Sequence, residues 1–223
     1  MPILTLQDKN DTERNNVIIE PETPNGKWVL CLHGGFGTPD IFKDISGLRD
    51  ILPNHYLCFA DADDTTNNLW RSGNLDKLDV EYLTNLLYEF TGAYDLSYEN
   101  GGVIGVSNGA MMGLRLLSVI DEMGIGYMVG VSGTYNAIEK FDFKGRVLLI
   151  NSIHDTIVPY MGNASNRSVD ETIEIVKDSA LMTEIILLNE KVENGNNFDY
   201  HKWEEIKILY PALDMRIQEF AGL

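Results

Sequence analysis

Short, nearly continuous runs of apolar and β-branched residues recur along the chain, and longer segments with apolar residues at helical spacing separate them. Runs that lack polar alternation, such as KWVLCL at 27–32 and RVLLINS at 146–152, are typical of strands covered on both faces. The predicted strands span residues 17–19, 27–32, 56–62, 103–106, 127–131, 146–152 and 184–189. The predicted helices span residues 38–52, a segment from about 79 onward, the segment after 107, 169–182 and 211–220.

This alternation of strand and helix predicts an α/β fold with a mostly parallel central sheet and helices on both faces. No internal repeat, low-complexity linker or long insertion interrupts it, so residues 1–223 are interpreted as a single domain without a large lid. The loops at 133–144 and 160–168 are long enough for a small cover only. In such sheets the chemistry lies beyond the carboxyl ends of the strands.

The charge and composition of the chain argue against several classes of partner and location. The formal net charge of −17 disfavours nucleic acid and anionic membrane as partners. The chain contains no apolar run of membrane-span length and no signal peptide, so a cytoplasmic location is expected unless a leader was removed. Cys31 and Cys58 both fall in predicted buried strands and are expected to be free thiols.

Residues 103–114, VIGVSNGAMMGL, are the most informative stretch of the chain. They contain a Gly-x-Ser-x-Gly pentapeptide at 105–109 between a predicted strand and a predicted helix. A sharp strand-to-helix turn puts its apex residue in a strained conformation and requires small residues two positions away on either side. The pattern predicts that Ser107 is a nucleophile, exposed at the amino end of a helix that favours negative charge.

A serine hydroxyl needs a base that accepts its proton and an acid that orients the base. With this turn the three residues follow the order Ser, acid, His. His33 and His55 precede Ser107, and His154 directly precedes the best acid candidate, Asp155, which breaks the expected order, so His201 is the predicted base. It lies in the predicted loop between the last strand and the final helix.

Asp155 is the predicted acid because it follows the strand at 146–152 and is held by a tight turn that contains Pro159. A carboxylate fixed in this way can orient an imidazolium. Asp142, Glu139 and Asp170 are alternatives.

Backbone N–H groups are the expected donors to the negative charge that develops on a substrate carbonyl oxygen. One donor is the N–H of Asn108, the residue after the nucleophile. The second comes from the glycine-rich turn HGGFG at 33–37, with Gly35 or Phe36 as the donor. His33 is expected to order this turn through hydrogen bonds.

Several segments together resemble the α/β-hydrolase esterases, and most closely the polyhydroxybutyrate depolymerase and feruloyl esterase group, whose patterns are HGGxG, GxSNGxMM and DxxVPYxG. The resemblance covers residues 29–162, and its SNGAMM and DTIVPY pieces are the most specific. It implies an α/β-hydrolase fold, Ser107 as nucleophile, Asp155 as acid and the turn at 33–36 as oxyanion loop. The group's catalytic histidine lies in a glycine-rich segment before Trp-Pro. Here the sequence is YHKW at 200–203, which keeps the aromatic residue but neither the glycines nor the proline.

The sequence therefore predicts a serine hydrolase that cleaves carboxylic esters of short-chain, hydroxyalkanoate or aryl type, without metal or cofactor. Small-molecule or oligomeric esters are the expected substrates. The residues expected to line the cleft are Trp70, Tyr160, Tyr200 and Trp203, together with Phe36. An acyl thioesterase or peptidase with the same triad, and a non-catalytic binding homologue, are the alternatives.

Overall fold

The computed structural model describes residues 2–73, 76–190 and 202–222. Its strands are β1 (Ile3–Gln7), β2 (Glu13–Ile19), β3 (Trp28–Leu32), β4 (Tyr56–Ala60), β5 (Gly101–Val106), β6 (Tyr127–Val131), β7 (Arg146–Ser152) and β8 (Met182–Leu188). Its helices are α1 (Pro39–Ser46), α2 (Leu48–Ile51), α3 (Leu78–Ala93), α4 (Asn108–Val119), α5 (Val169–Lys177), α6 (Trp203–Leu209) and α7 (Leu213–Gly222).

The strands form one sheet in the order β1-β2-β4-β3-β5-β6-β7-β8. The pairs β1–β2 and β2–β4 are antiparallel, and every pair from β4 to β8 is parallel. The prediction of a mostly parallel sheet is confirmed. Because the parallel strands point the same way, the loops after β3, β5 and β7 emerge at one edge of the sheet.

Helices cover both faces of the sheet, which explains why its central strands lack polar alternation. One core cluster joins the sheet to α3, α4 and α5, and the other joins it to α1, α2, α6 and α7. Cys31 belongs to the second cluster and Cys58 to the first, so their side chains point to opposite faces. Both thiols are free, as predicted, and burial raises their pKa. No helix in the described ranges combines the length and the apolar character needed to cross a bilayer.

The amino-terminal prediction is wrong in extent, because two strands occupy the segment expected to hold one short strand. In β2, the inward positions before Val17 are the buried polar residues Arg14 and Asn16, so the apolar signal of a strand is missing there. Arg14 is paired with Asp8 at 2.8 Å and with Asp79 at 2.7 Å. Those contacts compensate the burial of its charge.

Three other boundaries differ from the prediction. The helix expected at 38–52 is divided at Gly47, whose φ of 68° ends α1 and precedes α2. Helix α5 ends at Lys177, and Met182 already begins β8. Helix α6 follows residue 202, in a segment that the sequence pattern assigned to a loop.

His55 lies at the edge opposite the loops after β3, β5 and β7, and it makes stability depend on pH. Burial and the nearby Lys27 lower the pKa of His55 from 6.5 to about 4. The unfolded chain therefore binds a proton that the folded chain does not, and stability falls as the pH drops from about 6.5 towards 4. The free energy of unfolding should lose roughly 2–3 kcal/mol through this group between pH 7 and 4.5.

Urea denaturation of His55→Gln and the wild type between pH 7 and 4.5 measures this effect. We expect the variant to have the shallower dependence of unfolding free energy on pH, whatever its stability at pH 7. Parallel curves for the two proteins would contradict the assignment.

Candidate active site

Ser107 occupies a strained turn between β5 and α4. Its φ of 52° and ψ of −123° lie outside the regions that non-glycine residues favour. The Ser107 N–H donates to the carbonyl of Val131 at 2.7 Å, which ties the turn to the neighbouring strand. The side chain therefore lies at the amino end of α4, beyond the carboxyl edge of the sheet, as the pentapeptide predicts.

The glycines on either side of Ser107 are required by close backbone approach. A Cβ on Gly105 would lie 2.5 Å from the carbonyl oxygen of Gly109. A Cβ on Gly109 would lie 2.3 Å from the carbonyl oxygens of both Leu32 and His33. The pentapeptide thus lets α4 pack directly against the end of β3.

The glycine-rich turn after β3 lies beside Ser107. Gly34 approaches Ser107 so closely that a Cβ there would be 3.6 Å from the serine Cβ. The Gly37 N–H donates to the Gly34 carbonyl at 3.1 Å, and Phe36 has a φ of 64° with a largely exposed ring. The turn therefore brings the backbone of Gly35 and Phe36 to the same edge as the Asn108 N–H.

His33 orders this turn as a neutral side chain. Its Nδ1 lies 2.7 Å from the Gly34 carbonyl oxygen, and since that oxygen can only accept, Nδ1 carries the proton. Burial lowers the pKa of His33 from 6.5 to about 4. A buried imidazole whose pKa is lowered to about 4 is a weak base at neutral pH, which makes His33 a poor candidate to accept the Ser107 proton.

Asp155 lies in the turn after β7 and is buried. Its Oδ1 accepts hydrogen bonds from the N–H groups of Ile157 and Val158, both at 2.8 Å, which fixes the carboxylate. Only β6 separates β5 from β7, so the turns that carry Ser107 and Asp155 leave strands about 10 Å apart. The two residues therefore lie two strands apart at the same edge of the sheet.

The three alternative acids have other partners. Glu139 pairs with Arg115 at 2.9 Å. Asp142 pairs with Lys144. Asp170 accepts a hydrogen bond from the Tyr160 hydroxyl at 2.5 Å. Asp155 stays the predicted acid because it follows β7, which only β6 separates from the strand that leads to Ser107.

His201 and Tyr200 lie outside the described residues, so the assignment of the base remains a prediction. The described chain resumes at Lys202, which lines the same cavity as Ser107. Trp203 follows at the start of α6, where its ring packs against Phe42 at 5.5 Å and its Nε1–H donates to Ser46.

A cavity of about 260 Å³ opens beside Ser107. Its wall consists of the turn at 33–37, the end of β5, the start of α6 and one side of α1. Ile41 and Ile45, one helical turn apart on α1, leave part of their side chains exposed there. The sequence does not predict Ile41 and Ile45 as cleft residues, although the apolar positions one helical turn apart on the helix after the glycine-rich turn indicate an apolar wall.

The predicted cleft residues have different positions. Trp203 and Phe36 line the cavity. Tyr160 does not line it, and its hydroxyl instead donates to Asp170 in the first turn of α5. Trp70 is not among the residues that line this cavity: its side chain is 3% exposed, and its Nε1–H donates to the His33 carbonyl at 3.0 Å. Within the described ranges, no group of three or more His, Cys, Asp or Glu side chains is arranged to hold a metal ion.

No protein-family model and no curated protein sequence matches the chain. Many solved structures do. An esterase from Pyrococcus furiosus superposes with a TM-score of 0.70 and 17% identity, over 99% of this chain and 91% of that one. A carboxylesterase from Mesorhizobium loti has a TM-score of 0.64 and 15% identity, over 85% and 93%.

An acylaminoacyl peptidase from Pyrococcus horikoshii superposes with a TM-score of 0.65 and 15% identity, over 97% of this chain and 41% of that one. At these identities the likeness establishes the fold. Together with the strand order, it confirms the predicted α/β-hydrolase fold.

Proposed function

We propose that this protein is a serine hydrolase that cleaves carboxylic esters. The observation that carries the proposal is the strained backbone of Ser107 at the amino end of α4, beside a glycine turn whose backbone lies at the same edge. Strained backbone conformations at non-glycine residues cluster at active sites. Several proteins that share the fold are named as esterases, which agrees with this reaction.

In the proposed mechanism, the Ser107 hydroxyl transfers its proton to His201 as its oxygen bonds the ester carbonyl carbon. The carbonyl π electrons move to the oxygen, which accepts hydrogen bonds from the Asn108 N–H and from Gly35 or Phe36. When the intermediate collapses, the ester C–O bond breaks and the alcohol leaves with the proton from His201. Water then repeats the sequence on the acyl-enzyme and releases the acid.

Asp155 supplies the fixed charge that this mechanism requires. Its carboxylate is held by two backbone N–H groups, and it orients the imidazolium that forms when His201 accepts the serine proton. Burial lowers the pKa of His33 to about 4, which makes it a weak base, and His201 follows the acid in the order that this turn requires, so His201 is the proposed base. No metal or cofactor takes part in these steps.

The resemblance to the polyhydroxybutyrate depolymerase and feruloyl esterase group points to hydroxyalkanoate or aryl esters. The cavity of about 260 Å³ lies just below the range of about 300–1,000 Å³ typical of small-molecule sites. Its size and its apolar α1 wall favour short apolar groups over long chains. Small-molecule or oligomeric esters of this kind are therefore the proposed substrates.

Intact-mass labelling with a fluorophosphonate tests the nucleophile directly. We expect one adduct on the wild type and none on Ser107→Ala, because only an activated serine reacts. Ser165→Ala, an exposed serine in the loop after β7, is the matched control and should label like the wild type. The absence of an adduct on the wild type would favour a non-catalytic binding protein.

Peptide hydrolysis is the second candidate, since the Pyrococcus horikoshii acylaminoacyl peptidase shares the fold. The two reactions differ in the leaving group and use the same serine. Comparison of the oxygen ester, thioester and anilide of one acyl group separates esterase, thioesterase and peptidase. We expect the oxygen ester to have the highest kcat/KM.

The α1 wall is expected to limit the size of the ester group. Ile45→Trp fills the cavity, so kcat/KM for p-nitrophenyl hexanoate should fall about 10-fold or more relative to the acetate, since each methylene in a pocket is worth about 1–3 kcal/mol. Ile208→Trp, on the exposed side of α6, is the control and should leave the hexanoate-to-acetate ratio unchanged. An unchanged ratio in Ile45→Trp would contradict the assignment of this wall.

A further inference from the structure

Trp70 is buried in the loop between β4 and α3, and it contacts both segments that carry the proposed oxyanion donors. One of these segments is the amino end of α4, with Asn108, and the other is the turn after β3, with Gly35 and Phe36. The two segments follow different strands, β5 and β3. Donors of this kind must hold their positions to within about 0.5 Å to act on a transition state.

The first link joins Trp70 to Asn108. The Trp70 N–H donates to Asn108 Oδ1 at 2.6 Å, and Asn108 Nδ2 donates to the Trp70 carbonyl at 3.1 Å. Nδ2 also donates to Ser72 Oγ at 3.1 Å. The side-chain amide thus pairs with the backbone of Trp70 through both its donor and its acceptor. The side chain of Asn108 holds the loop, and the backbone N–H of the same residue remains available for substrate.

The second link joins Trp70 to the turn. Its indole Nε1–H donates to the His33 carbonyl at 3.0 Å, and its ring packs against the His33 ring at 5.1 Å. Leu69 supports the turn at a second point, because a Cβ on Gly35 would lie 2.6 Å from Leu69 Cδ2. Residues 69 and 70 therefore contact the turn at both His33 and Gly35.

Buried ion pairs of Arg71 hold the loop that carries Trp70 in place. The Arg71 N–H donates to Asp79 Oδ2 at 2.7 Å, and its guanidinium pairs with Asp63 at 2.6 Å. Asp79 is fully buried and also pairs with Arg14 of β2. The backbone next to Trp70 is thereby fixed to both β2 and α3, which lets Trp70 act as a rigid support.

We infer that Trp70 is a positioning residue for the oxyanion hole, and that its bonds to Asn108 and His33 set the separation between the Asn108 N–H and the N–H groups of the turn. This inference rests on the proposed function. It assigns the indole a role in stabilising the transition state, where the sequence pattern predicted a contact with substrate. Loss of the indole N–H should lower kcat and leave KM nearly unchanged, because the misplaced donors matter mainly in the transition state.

Trp70→Phe removes this N–H and keeps an aromatic ring. Trp28→Phe is the matched control, because Trp28 is also fully buried and its Nε1–H also donates to a backbone carbonyl, that of Ser97 at 2.8 Å. Trp28 lies at the opposite end of β3, far from the turn. For p-nitrophenyl acetate we expect kcat to fall about 10- to 100-fold in Trp70→Phe, with KM within about threefold, and both constants to stay within about threefold in Trp28→Phe.

A transition-state analogue adds a readout that a loss of stability alone would not change. A trifluoromethyl ketone forms a hemiketal oxyanion with the active serine, so its affinity should fall in Trp70→Phe by the same factor as kcat/KM. Asn108→Ala keeps the backbone N–H but removes both bonds to Trp70, so it breaks the other link of the same Asn108–Trp70–His33 connection and tests the inference if Trp70→Phe does not fold. The double variant, Trp70→Phe with Asn108→Ala, should have a kcat/KM only slightly below that of either single variant, because each substitution alone already breaks the connection between Asn108 and His33.

Each outcome decides the inference. Activity of Trp70→Phe equal to that of Trp28→Phe would overturn it and leave the proposed function intact, since both proteins would still hydrolyse the ester. A raised KM with unchanged kcat would also overturn it, because Trp70 would then contact substrate. A wild type that neither hydrolyses the ester nor reacts with a fluorophosphonate would overturn the proposed function and this inference together.

Discussion

Ser107→Ala should lower kcat for p-nitrophenyl acetate by about 10⁴-fold or more, since loss of a triad nucleophile has effects of this size. Alanine keeps the Cβ of serine, so it meets the same backbone strain at φ 52°. The variant is therefore expected to fold like the wild type and to unfold at nearly the same temperature, because the backbone strain is unchanged.

Steady-state kinetics and thermal unfolding of Ser107→Ala, the wild type and Ser165→Ala measure both parts of this expectation. Ser165→Ala should match the wild type in both measurements. If Ser107→Ala retained kcat within tenfold of the wild type while folding normally, Ser107 would not be the nucleophile. A fall in kcat that accompanied unfolding would show instead that Ser107 is needed for the fold.

Gly109→Ala is expected to have the largest effect on stability. The new methyl group would lie 2.3 Å from the carbonyl oxygens of Leu32 and His33, which are backbone atoms at the end of a central, fully buried strand. Neither β3 nor α4 can move without disturbing the core, so we expect a loss of more than about 4 kcal/mol in the free energy of unfolding. Activity should be lost as well, because the same shift separates the turn from Ser107.

Gly92→Ala is the control for a glycine-to-alanine change in a helix. Gly92 lies near the end of α3 with open space around its Cβ position, so alanine should stabilise the protein by a few tenths to about 1 kcal/mol. Urea denaturation of the two variants and the wild type gives both values. A stable, active Gly109→Ala would mean that the direct contact between α4 and β3 is not required.

The sequence alone determined the features that depend on local backbone geometry and on the burial of strands on both faces of the sheet. Val103, Ile104 and Val106 run into a pentapeptide whose glycines fit only a close approach, so the strand, the turn and the helix could be predicted together. The apolar runs of β3, β6 and β7 predicted a parallel sheet, because the strands of such a sheet are buried on both faces and lack polar alternation. The positions of Ser107 and Asp155 at one edge follow directly from these elements.

Features that depend on partners distant in the sequence were decided only by the tertiary structure. Arg14 is an inward residue of β2 because Asp79, 65 positions later, neutralises it, and no local pattern contains that pairing. The sequence predicts Trp70 as one of several aromatic residues of the cleft, whereas in the structure its indole N–H donates to the His33 carbonyl and the side chain is buried. Hydrophobic periodicity reports how much of a side chain is buried, whereas the partner that satisfies a buried polar group is set by how the whole chain packs.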